Sequence, residues 1–175
     1  MIGTRRRTVN ALVASRFAEL EAQGHGPHRH EGAVTRQMLE DRVLRGLNPM
    51  TGNRTDGVTG GIHPLSRRAT RITSEADFVA ADAFIRRSSE YRSSRDAVFS
   101  LFGRGRPRFE VVLPIEDVLG PDYTSAVEGL KRLGSFNNPQ GIVPIDFNGG
   151  QVKAVYELTP DGEPVLVTLF PIGKT

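Results

Sequence analysis

The sequence predicts an α+β domain, with N-terminal helices followed by a small antiparallel β-sheet. Two observations carry that expectation. Apolar residues recur at helical spacing through the first half of the 175-residue chain, and short runs rich in Val, Ile, Phe and Tyr, parted by turn signals, fill the second. A chain of this length is enough for one domain with a real core, so residues 1–175 are expected to form a single unit.

The elements follow in order. Within residues 1–24, Val9, Leu12, Val13, Phe17 and Leu20 are spaced for one helical face, and Gly24 is a natural stop. The stretch "GHGPHRHEG" (24–32) comes next and reads as a loop, because its central Gly-Pro argues against a helix. A second helix is expected over "TRQMLEDRVLRG", which opens on a Thr cap and closes on Gly46, with Leu39, Val43 and Leu47 at four-residue intervals. Residues 48–64, dense in Asn, Gly, Pro, Thr and Asp, read as a long loop. "ATRIT" is expected to be a short strand. A third helix then runs through "SEADFVAADAFIRRSSEYR", capped by Ser74, with Phe78, Ala81, Phe84, Ile85 and Ser88 on one side. "FEVVLP", "IVPIDF", "QVKAVYEL" and "PVLVTLFP" are the expected strands. The last two form a hairpin around "PDGE", and "GPDYTSAVEGLKRLGS" is expected to hold one more short helix.

Composition excludes several chemistries. There is no cysteine, hence no disulfide framework, thiolate metal site or cysteine nucleophile. No apolar run approaches the roughly 20 residues of a membrane span, and the start "MIGTRRRTVNALVASRF" lacks the continuous apolar stretch of a secretory signal. As written the chain carries no address, although it could be one released from a larger exported protein. Net charge is only +3, yet 20 of the 23 basic residues are arginine. An arginine-rich genome would explain the count. The clusters "RRR" (5–7), "SRRATR" (66–71), "RR" (86–87) and "GRGRPR" (103–108) also suit a polyanion, since the guanidinium fork matches phosphate.

His25, His28 and His30, with His63 in the next loop, raise the question of a metal. Their H-x2-H and H-x-H spacings match none of the usual zinc patterns, so no metal is expected. G-x-S-x-G and the P-loop are absent, and "GRGRPR" lacks the third glycine of G-x-G-x-x-G. One pair stands out. At about 100° per residue Arg42 falls between Met38 and Leu39, on the margin of its helix's apolar face, where the guanidinium can reach into a cleft beside His30. RNA carries its own nucleophile, the 2′-OH, so a base, an acid and a cation suffice to cleave it without a metal. The competing reading is a surface or capping histidine and an ordinary helix-edge charge.

"RHEGAVTRQMLEDRV" resembles the opening motif of C-terminal toxin domains of bacterial polymorphic toxins, especially the ribonuclease-A-like toxins of contact-dependent inhibition: a histidine, a glycine two residues on, then a helix with Leu-x-x-Arg. Here these are His30, Gly32, Leu39 and Arg42. "SRRATRITSEADFVAADAFI" is similar to that family's Ser/Thr strand and acidic helix. "GQVKAVYELTPDGEPVLVTLFP" is similar to its closing hairpin, so the resemblance spans roughly His25 to Pro171 within residues 25–171.

The resemblance implies a metal-independent, cofactor-free endoribonuclease toxin domain that cleaves RNA, with tRNA one possible target, by 2′-OH transesterification. His30 would be base or acid, Arg42 the phosphate-stabilising cation and Thr168 a hydroxyl on the last strand. Phe170 would contact substrate where the family has tyrosine, or else Tyr123 or Tyr156 would supply that hydroxyl. His28 and His25 compete with His30 or grip phosphate. Ser66, Thr70, Arg67, Arg68 and Arg71 would touch the RNA backbone, or form only a basic turn. The 48–64 loop would cover the substrate or meet a partner.

The implied partners are RNA and an acidic immunity protein, and the domain would be delivered as part of a larger toxin to act in a target cell's cytoplasm. Two rival classes remain at this stage. One is a NAD-consuming toxin domain, a glycohydrolase or ADP-ribosyltransferase, without the usual Arg, Ser-Thr-Ser and Glu-x-Glu trio. The other is a non-catalytic RNA-binding or structural domain, for which the basic clusters offer few aromatics to stack on bases.

Overall fold

The structure is a computed structural model that describes residues 2–100 and 105–174, with side chains from Thr8 onward. The side chains of the 5–7 arginine cluster and the start of "GRGRPR" lie outside the described residues.

Helices lead and antiparallel strands follow, in the order α1 (Ile2–Gln23), α2 (Gly26–His30), α3 (Arg36–Arg45), β1 (Arg68–Ile72), α4 (Glu75–Arg87), α5 (Ser89–Phe99), β2 (Arg108–Pro114), α6 (Ile115–Leu119), α7 (Tyr123–Ala126), β3 (Val127–Gly134), β4 (Pro139–Pro144), β5 (Gln151–Leu158) and β6 (Pro164–Ile172). The strands form two three-stranded sheets, β1-β3-β4 and β2-β5-β6, all pairs antiparallel.

Several local expectations are corrected. The one sheet is two, and β1 from the first half of the chain belongs to one of them. "VEGLKRLG" is a strand, β3, where only a short helix (now α7) was expected. Its alternation is masked by Gly129 and by Arg132, which is buried and donates to the carbonyls of Val43 and Ser66. The expected "IVPIDF" strand lies earlier, over Pro139–Pro144. The expected third helix breaks at Ser88, whose extended backbone ends α4 and whose hydroxyl accepts from the Tyr91 amide at 3.1 Å to cap α5. Phe84 is exposed, not core. On α1 burial begins at Val13. Val9 and Leu12 are exposed, because α4 and the core reach only the C-terminal part of the helix.

The main core joins Phe17 and Leu20 of α1 to Phe78, Ala81 and Ile85 of α4 and to the β2-β5-β6 sheet. A smaller core, Val34, Leu39, Val43, Ala69 and Leu130, holds α3 on the other sheet. Thr35 caps α3 by accepting from the Met38 amide, a contact of the kind that contributes about 1 kcal/mol, and Gly46 closes the helix at φ 72°. The hairpin turn between β5 and β6 is closed by Thr159 and Glu163, as the "PDGE" signal predicts. Edge strands β1 and β6 lie beside one another, so the two sheets meet at a seam.

Candidate active site

The histidine stretch lies across that seam. Contrary to the expected loop, Gly26–His30 is a short helix. Pro27 is in its first turn, where no amide is needed for the helix ladder, so the Gly-Pro starts the helix and does not forbid it. Two of the flanking glycines explain how the segment fits. A Cβ on Gly24 would stand 2.5 Å from the Leu166 carbonyl oxygen of β6, and one on Gly32 would stand 2.7 Å from the Thr73 carbonyl oxygen just beyond β1. The backbone is thus held against both sheets.

His30 bridges them. Its Nδ1 lies 3.0 Å from the Thr70 carbonyl oxygen on β1, and its ring lies 5.1 Å, at 33°, from the ring of Phe170 on β6. A carbonyl can only accept, so the proton is on Nδ1 and the Nε2 lone pair is left for the cavity. That cavity, about 360 Å³, is lined by His30, Arg42, His63, Arg68, Thr70 and Phe170 among others, and among the described residues no carboxylate lines it. A larger cavity of about 750 Å³, lined in part by His25, His28, Asp56 and Arg108, adjoins it. Both share Arg29, Arg42 and His63, which form the partition between them.

The partition is short of partners. Arg29 Nε, Arg42 Nη1 and His63 Nδ1 are buried with no hydrogen-bond partner. An unmet buried polar atom costs about 1–3 kcal/mol, more when charged, so three in one wall are an energetic debt that a ligand would settle. The remaining arginine bonds go to backbone: Arg29 Nη2 donates to the Asp56 carbonyl, and Arg42 Nη2 to the Pro64 carbonyl at 2.5 Å.

The electrostatics follow. Burial, first, and then the neighbouring arginine charges push His25, His30 and His63 down to about 4, so all three are neutral at pH 7; for His30 the Thr70 bond opposes the shift. Arg42 is lowered to about 10 by burial and by Arg29, and still remains charged.

The 48–64 loop holds His63 in place. Fully buried Asn48 donates through Nδ2 to the Thr55 and Asp56 carbonyls, both at 2.9 Å, and the His63 amide donates to the Arg54 carbonyl at 2.7 Å. The Asp56 carboxylate accepts from the Thr59 hydroxyl and the Val58, Thr59 and Gly60 amides, which hold its pKa well below the usual carboxylate range.

Of the residues singled out in the sequence, His30, Arg42, Arg68, Thr70, Ser66 and Phe170 line the smaller cavity. Thr168 shares the β6 face with Phe170, but lies under α2 with its hydroxyl buried and unpartnered, and lines neither cavity. His28 is an exposed residue of the larger cavity, 3.8 Å from Glu21, and His25 lines that same cavity.

Arg71 lines neither cavity. It is spent on Glu128 and on the Gly32 and Val34 carbonyls, tying the histidine segment to β1 and β3. Arg67 donates to the Arg132 carbonyl, away from both cavities. Tyr156 is buried on Asp82 and Tyr123 lines a separate cavity, so neither lines the cavity beside Phe170.

Arg29 and His63 were missed as a pair. Arg29 had a weak signal, between two histidines; His63 was noted only as a further histidine in the next loop, because its burial depends on Asn48 fifteen residues before it. Among the described residues no group of three or more His, Asp or Glu is arranged to hold a metal ion, and no helix is long and apolar enough to cross a membrane. Comparison with known proteins finds no matching family model, curated protein or solved structure.

Proposed function

We propose that the domain is a metal-independent endoribonuclease, acting by transesterification at the Arg29–Arg42–His63 partition. The observation that carries this reading is the pairing of a neutral histidine, its Nδ1 proton tied to Thr70, with two half-buried arginines whose unmet donors border a smaller cavity that no carboxylate lines among the described residues. Such a wall favours a phosphoryl group that gains negative charge.

In the reaction His30 Nε2 takes the 2′-OH proton as the O2′–P bond forms. Arg42 and Arg29 stabilise the phosphorane. The P–O5′ bond then breaks, and O5′ takes a proton from His63 as imidazolium; burial and the arginine charges depress this histidine's proton affinity in the free protein, and the bound phosphate offsets those charges so that His63 takes up that proton from solvent. The products are a 2′,3′-cyclic phosphate and a 5′-hydroxyl.

Cleavage of the N-glycosidic bond in NAD develops positive charge on a ribose and calls for a carboxylate beside it; the smaller cavity offers cations, which disfavours that reading. The cationic cleft also fits an acidic immunity protein, whose charge would speed association. Delivery within a larger toxin to a target cell's cytoplasm belongs to the same proposal.

The test is incubation with total RNA in excess EDTA, beside His30→Ala. Fragments ending in cyclic phosphate from the wild type, with the variant slower by about 10²–10⁴-fold, are expected. Intact RNA under all conditions, or equal cleavage by the variant, contradicts the proposal.

A further inference from the structure

Building on the ribonuclease reading, we infer that the larger cavity is a second nucleotide subsite, so that the substrate is a single-stranded RNA segment extending past the scissile phosphate on both sides of the partition. Three observations lead there. Among the described residues the two cavities share only Arg29, Arg42 and His63, all able to bind an anion, and the unmet donors of Arg29 and Arg42 are buried in that wall.

The cavities also differ in character. The smaller has apolar walls, Leu39, Pro49, Phe170 and Ile172, and its volume of about 360 Å³ lies at the low end of small-ligand sites, roughly 300–1,000 Å³. It suits one base, turned out of any stack and lying near Phe170. A base still paired in a duplex could not enter.

The larger cavity is twice that size and lined by charge. Of its three carboxylates, Asp56 is held by its own loop and Glu157 is shared by Arg106 at 3.3 Å and Arg108 at 2.7 Å, while Glu21 is partly exposed, 3.8 Å from His28. Two arginines on one carboxylate leave one positive charge over, and both side chains are mostly exposed. A backbone phosphate next to the scissile one would find its counter-charge there, with its nucleotide in the cavity.

The experiment is equilibrium binding of 2′-O-methyl RNAs, which cannot be cleaved, as a mononucleotide, a dinucleotide and a hexanucleotide, each 3′-phosphorylated so that the dinucleotide carries the phosphate next to the scissile one. Two variants accompany the wild type: Arg106→Gln with Arg108→Gln, and Val58→Glu, which adds a negative charge at an exposed position of the same cavity and leaves Glu157 paired.

The dinucleotide is expected to bind roughly tenfold or more tightly than the mononucleotide. Both variants should lose most of that gain while keeping mononucleotide affinity. A dinucleotide no tighter than the mononucleotide, or a gain that survives in both variants, overturns the inference. So does NAD binding as tightly as the dinucleotide, which would assign the paired cavities to a dinucleotide cofactor. Because the probes cannot react, length-dependent binding without cleavage of natural RNA would leave the subsite standing and refute the ribonuclease reading alone.

Discussion

Two buried clusters use similar side chains and differ in how completely they are paired. Around Asp82, Arg16 Nη2 approaches at 3.1 Å, Arg86 Nε at 3.0 Å and the Tyr156 hydroxyl at 2.9 Å, and the Arg86 guanidinium also lies 4.8 Å from the Tyr156 ring centroid. A carboxylate at the centre satisfies nearly every group; only Arg86 Nη2 lacks a partner there.

At the partition, Arg29, Arg42 and His63 face one another with no carboxylate paired to them, and each has a buried atom unmet. The Asp82 cluster is a closed structural network joining α1, α4 and β5. The partition gathers the same kinds of side chain with no carboxylate paired to them. Repulsion that would be disfavoured in a scaffold is useful where a phosphate must be drawn in.

The contrast can be broken from either side. Asp82→Ala would strand the mostly buried Arg86 and the Tyr156 hydroxyl, while Arg16 keeps Glu19, and is expected to cost about 3–5 kcal/mol of stability, read by urea unfolding. A much smaller loss would mean that the network is ornamental.

Acid should weaken the partition next. With His25, His30 and His63 lowered to about 4 in the fold and near 6.5 when unfolded, the unfolded chain takes up protons that the folded one refuses. Stability is therefore fully present above about pH 6.5 and falls as pH drops toward 4, by on the order of 1–3 kcal/mol for one such group. A profile flat across that window, or one unchanged by His30→Gln, would argue against buried neutral histidines.

The smallest stability effect is expected for Arg42→Met. Removing a half-buried cation with an unmet donor, at the loss of its bond to the Pro64 carbonyl, should leave stability within about 1 kcal/mol of wild type, while cleavage falls by about 10²–10³-fold. Large destabilisation by this variant would place Arg42 in the structural class instead.

Much of this was legible from local sequence. Thr35 and Gly46 bound α3 because caps act within one turn, and the β5–β6 hairpin is set by its own turn residues. His30 and Arg42 were legible as a pair because one lies just ahead of the helix that carries the other. What escaped depends on distant chain. α2 is stabilised by close approach to β6, β3 hides its period behind a buried Arg132 that bonds across to α3, and Arg71 is claimed by Glu128, fifty-seven residues on. His63 became part of the site only through the loop that Asn48 pins.

The central claim is that the partition binds a phosphate, and inorganic phosphate tests it most directly. Thermal unfolding would be followed against phosphate concentration, at constant ionic strength, for the wild type and Arg42→Met. Binding to the folded state alone must raise Tm. The account predicts a rise in the wild type, larger at pH 6 than at pH 8 because the bound anion raises the histidines' proton affinity, and little or none in the variant. Equal shifts in the two proteins, or no shift in either, would contradict it.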